Sequence, residues 1–140
     1  MQGLFFEDLS LGQSAEITRA VGAGDIEAFA AVSGDVNPVH LDEAYAKTTP
    51  FGGRIAHGML SAAYISAVLG AKLPGPGAIY LSQNLRFRRP VKIGDVVTAR
   101  VTVSALDADK GRATFATVCQ VDGRTAVDGE AVIMVPRRGA

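Results

Sequence analysis

The sequence predicts an α+β fold in which an antiparallel β-sheet wraps around one long buried central helix. Three observations carry this. Residues 58–72 hold no charge before Lys72 and are small or apolar on every side, and a helix with no polar face is a buried helix. From Ile79 onward the period changes to two: Ile79, Leu81, Leu85 and Phe87 alternate with Tyr80, Ser82, Asn84, Arg86 and Arg88, and Val97, Ala99, Val101 and Val103 with Thr98, Arg100, Thr102 and Ser104. Turn signals at Gly94-Asp95, residues 107–111 and Asp122-Gly123 cut this half into long strands, the last fitting a two-residue type I′ hairpin. Helices followed by a run of strands form an α+β layer arrangement.

Taken in order, residues 13–21 read as a short strand. Gly24-Asp25 then starts a helix with Asp25 as N-cap and Ile26, Phe29, Ala30 and Val32 at a partly helical spacing. Ser33-Gly34 closes it. Residues 35–40 read as an irregular loop, because Pro38 disfavours helix at Asn37. Residues 41–48 form a short helix ended by Thr49-Pro50-Phe51-Gly52-Gly53, and Leu73-Pro74-Gly75-Pro76-Gly77 stops the long helix. Strands follow over residues 79–88, 97–104, 113–121 and 124–135. To hide every side of the helix the sheet must curl around it, which is the hot-dog shape. With no repeat, low-complexity tract or long linker, residues 1–140 read as a single domain.

Composition narrows the chemistry. Apolar residues at 48% and charged residues at 20% describe a globular chain rather than a disordered one. No apolar run reaches the roughly 18–20 residues needed to span a bilayer. The N-terminus turns acidic at Glu7-Asp8 and lacks the basic start and apolar stretch of a signal peptide, so a cytoplasmic location is expected. Basic and acidic residues balance at 14 each, which leaves no broad basic field for nucleic acid or anionic lipid. Cys119 is the single cysteine, and His40 and His57 are the two histidines. Internal disulfides, multi-cysteine zinc sites and three-histidine zinc sites are thereby excluded. His-Glu-x-x-His, Gly-x-Ser-x-Gly and Walker A patterns are absent, and Gly22-Ala23-Gly24 meets Glu27 where a dinucleotide fingerprint needs glycine.

The densest polar cluster is Ser33-Gly34-Asp35-Val36-Asn37-Pro38-Val39-His40. A stiff loop there can aim Asp35, Asn37 and His40 at one cavity. A carboxylate and an imidazole can hold one water between them, and histidine exchanges protons near neutrality. The plainer alternative makes Asp35 and Asn37 turn and cap residues and His40 a buried, hydrogen-bonded side chain. A second cluster, residues 54–59, sits at the mouth of the long helix. The first N–H groups of a helix lack internal partners and lie at its positive end. Gly58 N–H is therefore a candidate donor to a developing oxyanion, unless Gly58 is small merely for packing. His57 reads as a support for this turn.

The stretches Asp35-Val36-Asn37-Pro38-Val39-His40, Leu41-Asp42 and Ala56-His57-Gly58-Met59-Leu60 resemble the hydratase 2 signature of MaoC-like (R)-specific enoyl-CoA hydratases, in particular the short single-domain type linked to polyhydroxyalkanoate synthesis. The resemblance extends over nearly the whole chain, including Leu73-Pro74-Gly75, Ile79-Tyr80-Leu81 and Pro90-Val91. It implies that Asp35 and His40 are the catalytic pair, Asn37 an orienting amide and Gly58 the donor to the thioester carbonyl. It also implies that Ser66, on the long helix, contributes to the active-site hydrogen bonds. The implied reaction is syn addition of water to trans-2-enoyl-CoA, giving (R)-3-hydroxyacyl-CoA, and its reverse. No metal and no redox cofactor is implied, coenzyme A being part of the substrate, and a homodimer is expected. Arg86 and Arg88 are candidates for the coenzyme A phosphates. The rival readings are an acyl-CoA thioesterase, an acyl-carrier-protein dehydratase and a non-catalytic acyl-CoA binding protein.

Overall fold

The computed structural model describes residues 2–140. Five strands, β1 (Ser14–Ala20), β2 (Ile79–Phe87), β3 (Val96–Asp107), β4 (Arg112–Val121) and β5 (Arg124–Met134), form one antiparallel sheet. Its order is β1-β3-β4-β5-β2. Helix α4 (Gly58–Ala71) packs on β1, β3, β4 and β5. This is the expected α+β, hot-dog arrangement. The β4–β5 hairpin turns on Asp122 (φ 51°) and Gly123 (φ 75°), the two left-handed residues a type I′ turn requires.

The core lies between α4 and the sheet. Leu60, Tyr64, Ile65, Val68 and Leu69 form the inward stripe of α4, and Val97, Ala99, Val101 and Val103 of β3 with Ala113, Phe115 and Cys119 of β4 form the sheet side. Alternation along β3 and β4 puts those residues inside and their neighbours outside. Each large side chain buried here is worth about 1.5–3 kcal/mol against solvent exposure.

Four local expectations are corrected. Helix α1 (Ala23–Ser33) has its N-cap three residues early, at Gly22 instead of Asp25. The Asp25 carboxylate reaches back to accept the Gly22 N–H at 2.8 Å, so Asp25 caps from within the first turn. The stretch expected to be irregular contains helix α2 (Pro38–Leu41), because proline fits the first helical position and Asn37 Oδ1 accepts the Val39 N–H at 3.1 Å. The helix expected over 41–48 shrinks to α3 (Glu43–Ala46). Asp42 closes α2 with its N–H and caps α3 with its carboxylate.

Burial supplies the fourth correction. Helix α4 is buried on one face only: Met59 is 55% exposed, and Ala63, Ser66 and Ala67 are also open. The apolar residues of β2 share this condition, with Ile79, Leu81 and Phe87 exposed. In the single chain these surfaces form an uncovered apolar flank rather than core.

Candidate active site

Three segments converge at the start of α4. Residues 34–37 leave α1 through Gly34, whose φ of 78° suits glycine. The short α2 carries His40 inward. Residues 54–57 bring the chain to α4, and two pairings fix them: Ala56 N–H donates to Val91 O at 2.7 Å, and Ile55 forms a bridge with Lys92.

His40 is buried, and its Nδ1 lies 2.8 Å from the Ile55 carbonyl oxygen. A carbonyl only accepts, so Nδ1 carries a proton, and in the neutral ring Nε2 keeps a free lone pair. Arg54 Nε donates to the His40 carbonyl at 2.6 Å and ties the same residue from the backbone side. His57 stacks on His40, with ring centres 3.8 Å apart and planes at 28°. Asp35 stands exposed beside them. A carboxylate oxygen of Asp35 and a ring nitrogen from each of His40 and His57 all lie within 4.8 Å of one another. Among the described residues this is the group with metal-ligand chemistry; its spacing equally suits a single shared water.

Asn37 contacts Asp35 through the backbone, its N–H donating to Asp35 Oδ1 at 3.3 Å, while its side chain serves as the α2 cap. Gly58 is the first residue of α4, and among the described residues no acceptor meets its N–H. A Cβ at Gly58 would stand 2.5 Å from Phe87 Cε1, so glycine is what allows the ring and the helix start to meet. Beside them lies a cavity of about 360 Å³ lined by His40, His57, Gly58, Ser61, Phe87 and Arg88, among others.

Of the remaining sequence candidates, Arg88 alone lines this cavity. Ser66 lines a second groove of about 430 Å³, between α4 and β2, with Met59, Tyr80 and Leu85. It is Ser61, five residues earlier, that shares the first cavity with the histidines. Arg88 reaches that cavity and pairs with Asp128 at 2.8 Å. Arg86 is exposed and outside its lining. Arg54, within the second sequence cluster, and Phe87, at the end of β2, carry structural parts of the site that the sequence did not assign to them. The signal available for Ser61 was its spacing, one turn beyond Gly58 on the same helix face.

A MaoC-like domain matches residues 8–124. The chain belongs to the MaoC-like family. It is 56% identical to an (R)-specific enoyl-CoA hydratase of Rhodospirillum rubrum, over 96% of this chain and 94% of that one. Among solved structures, the unliganded R-hydratase of Pseudomonas aeruginosa superposes with a TM-score of 0.92 at 51% identity, covering 97% of this chain and 88% of the other. The (R)-hydratase of Aeromonas caviae, involved in PHA biosynthesis, superposes with a TM-score of 0.91 at 50% identity, covering 93% and 99%. The site described above thus lies in a MaoC-like chain whose similar proteins include hydratases of one stereochemical class.

Proposed function

We propose that this MaoC-like chain hydrates trans-2-enoyl-CoA to (R)-3-hydroxyacyl-CoA and catalyses the reverse dehydration. The observation that carries the reading is one juxtaposition: the Asp35 carboxylate and a His40 ring with its Nε2 free stand near a helix start whose Gly58 N–H is unclaimed. Family membership supplies the substrate class.

The chemistry follows from those groups. Water sits between the Asp35 carboxylate and His40 Nε2. Its oxygen bonds to C3 of the enoyl chain as the pair takes up one proton. The C2–C3 π electrons move toward the thioester carbonyl, whose oxygen becomes enolate-like and is held by Gly58 N–H. Preorganised donors of this kind contribute roughly 2.7–4 kcal/mol. The pair returns a proton to C2, so one water supplies both hydroxyl and hydrogen from one face. Carbonyl polarisation falls to the helix start, and the reaction needs neither metal nor redox cofactor. Arg88, with Arg86 two residues earlier on the strand, meets the coenzyme A phosphates, and Ser66 contacts substrate along the second groove. By likeness to the Aeromonas enzyme, the product feeds polyhydroxyalkanoate synthesis.

Purified protein with trans-crotonyl-CoA should lose enoyl absorbance without releasing thiol, and in D₂O should place deuterium at C2 on the hydroxyl face. Release of thiol, mostly (S) product or anti placement would each defeat the reading.

The active unit is a homodimer in the cytoplasm. Two features support the pairing: the apolar flank of α4 and β2 is open in the single chain, with Phe87 56% exposed, and β2 is an edge strand. Proteins cover such edges and patches. No described helix is long and apolar enough to cross a membrane. Sedimentation should give a dimer at assay concentration. A fully active, stable monomer would sink the pairing.

A further inference from the structure

His57 is not part of the proton-transfer pair, yet it touches both the His40 ring and the Asp35 backbone and directly precedes Gly58. It is 2% exposed and is the N-cap residue immediately before Gly58. Its ring lies against Phe29, with centres 4.9 Å apart, and stacks on His40. Its Nε2 lies 2.9 Å from the Asp35 carbonyl oxygen. Because a carbonyl has no proton to give, Nε2 is the protonated nitrogen and His57 is the donor. Nδ1, a bare lone pair in the neutral ring, is buried and has no partner among the described residues.

The loop it touches has little else to hold it. Asp35 N–H donates to Ser33 Oγ at 3.1 Å, Asn37 N–H donates to Asp35 Oδ1, and the acceptors of Asn37 serve Val39 and His40. All of these stay within three residues along the chain. Among the described residues, the bond from His57 is the one hydrogen bond that ties residues 35–37 to a distant part of the fold. Ring packing alone does not account for an imidazole at position 57. Phenylalanine would occupy the same stack without leaving an unpaired polar atom buried, a feature rare in folded proteins. What phenylalanine lacks is the N–H that grips Asp35.

We infer that His57 is a positioning residue: by donating Nε2–H to the Asp35 carbonyl it fixes the Asp35 carboxylate relative to His40 and to the Gly58 donor. The inference rests on the hydratase reading above. It also explains why the histidine directly precedes Gly58. One residue sets the spacing of the proton-transfer pair, and its neighbour binds the carbonyl, so both halves of the site move together.

Two substitutions separate the ring from the donor. His57→Phe keeps the stack and removes the N–H. His57→Gln loses the ring but carries an amide N–H at comparable reach. Since a displacement of about 1 Å can cost on the order of 100-fold in rate, His57→Phe should lower kcat by roughly 10- to 100-fold while KM stays within about threefold. Its Tm should not fall below wild type. His57→Gln should recover most of the lost kcat. Hydrogen exchange gives a readout independent of turnover: the amides of residues 35–37 should exchange faster in His57→Phe and near the wild-type rate in His57→Gln. The inference is overturned if His57→Phe keeps wild-type kcat, if glutamine is as damaging as phenylalanine, or if the loss comes with a lowered Tm and unchanged exchange at residues 35–37. A wild-type protein that does not hydrate crotonyl-CoA would instead overturn the hydratase reading itself, and this role with it.

Discussion

Strands β3 and β4 are paired from Thr98 opposite Gln120 to Asp107 opposite Arg112, with one register shift between Val103 and Ala105, and their inner residues are sealed against α4. The segment at the start of α4 is built differently. Residues 35–37 are exposed and hang on one long-range hydrogen bond, and His40 is set by two long-range bonds to carbonyls, its own and that of Ile55. In the sheet, each pairing repeats its neighbour's work, so losing one contact costs stability but not geometry. In the site segment each bond fixes a different atom, and losing one misplaces chemistry without unfolding anything. A rigid scaffold carrying a sparsely tied functional loop is a common division of labour.

The largest expected effect tests the loop side. Asp35→Asn is near-isosteric, and His40→Gln keeps a polar side chain while losing the ring stacked on His57; both remove proton transfer, a contribution of about 10²- to 10⁴-fold. Each should lower kcat for crotonyl-CoA by at least about 1,000-fold if the two act as a unit, with melting temperature close to wild type. Asp35 is exposed and its side chain accepts one local N–H, so little stability is at stake. A folded variant with near-normal turnover would remove its residue from the pair.

This difference also explains what was legible in the sequence. Alternation along β3 and β4, the uncharged α4 and the Asp122-Gly123 turn are local patterns that report directly on long-range layering, so the fold class could be read. Burial of α4 and β2 could not. Their apolar residues promise a covered surface without saying whether sheet, loop or second copy covers it, and Met59 and Phe87 are open in the single chain. In the site, Asp35, Asn37, His40 and Gly58 stand out by residue type and motif. The ties from Ile55, Arg54 and His57 do not, because each involves a backbone carbonyl, which every residue carries.

A core substitution should show the opposite profile. Val101 is fully buried at the centre of β3, opposite Ala15 of β1 and Thr117 of β4. Val101→Ala removes two methyl groups and leaves a small cavity, at a cost of about 2 kcal/mol. Urea unfolding should show that loss, while kcat and KM of the folded enzyme stay within about twofold because additive, distant sites couple weakly. Activity falling in step with the Asp35 and His40 variants would show that the two regions are not separable in this way.

The smallest effect lies deep in the sheet, at a group with reactive chemistry that burial keeps silent. Cys119 on β4 is fully buried, with Sγ 3.4 Å from the Ser61 carbonyl oxygen, to which the thiol donates. Burial disfavours the thiolate and pushes the thiol from its ordinary 9.0 up to about 12. The folded chain therefore holds this proton where the unfolded chain has lost it. Below about pH 9 both states are protonated and the stabilising difference is fully present. As pH rises from 9 toward 12 the unfolded state ionises first, so stability falls by up to about 1.4 kcal/mol per pH unit for this one group. Contributions from other groups cancel in a comparison with Cys119→Ala. The wild type should lose stability faster than that variant above pH 9 and in parallel with it below. Native protein at pH 8 should resist a thiol reagent until it unfolds. Rapid labelling of the folded chain at that pH, or parallel stability curves through pH 11, would mean that this part of the sheet opens far more readily than its pairing implies.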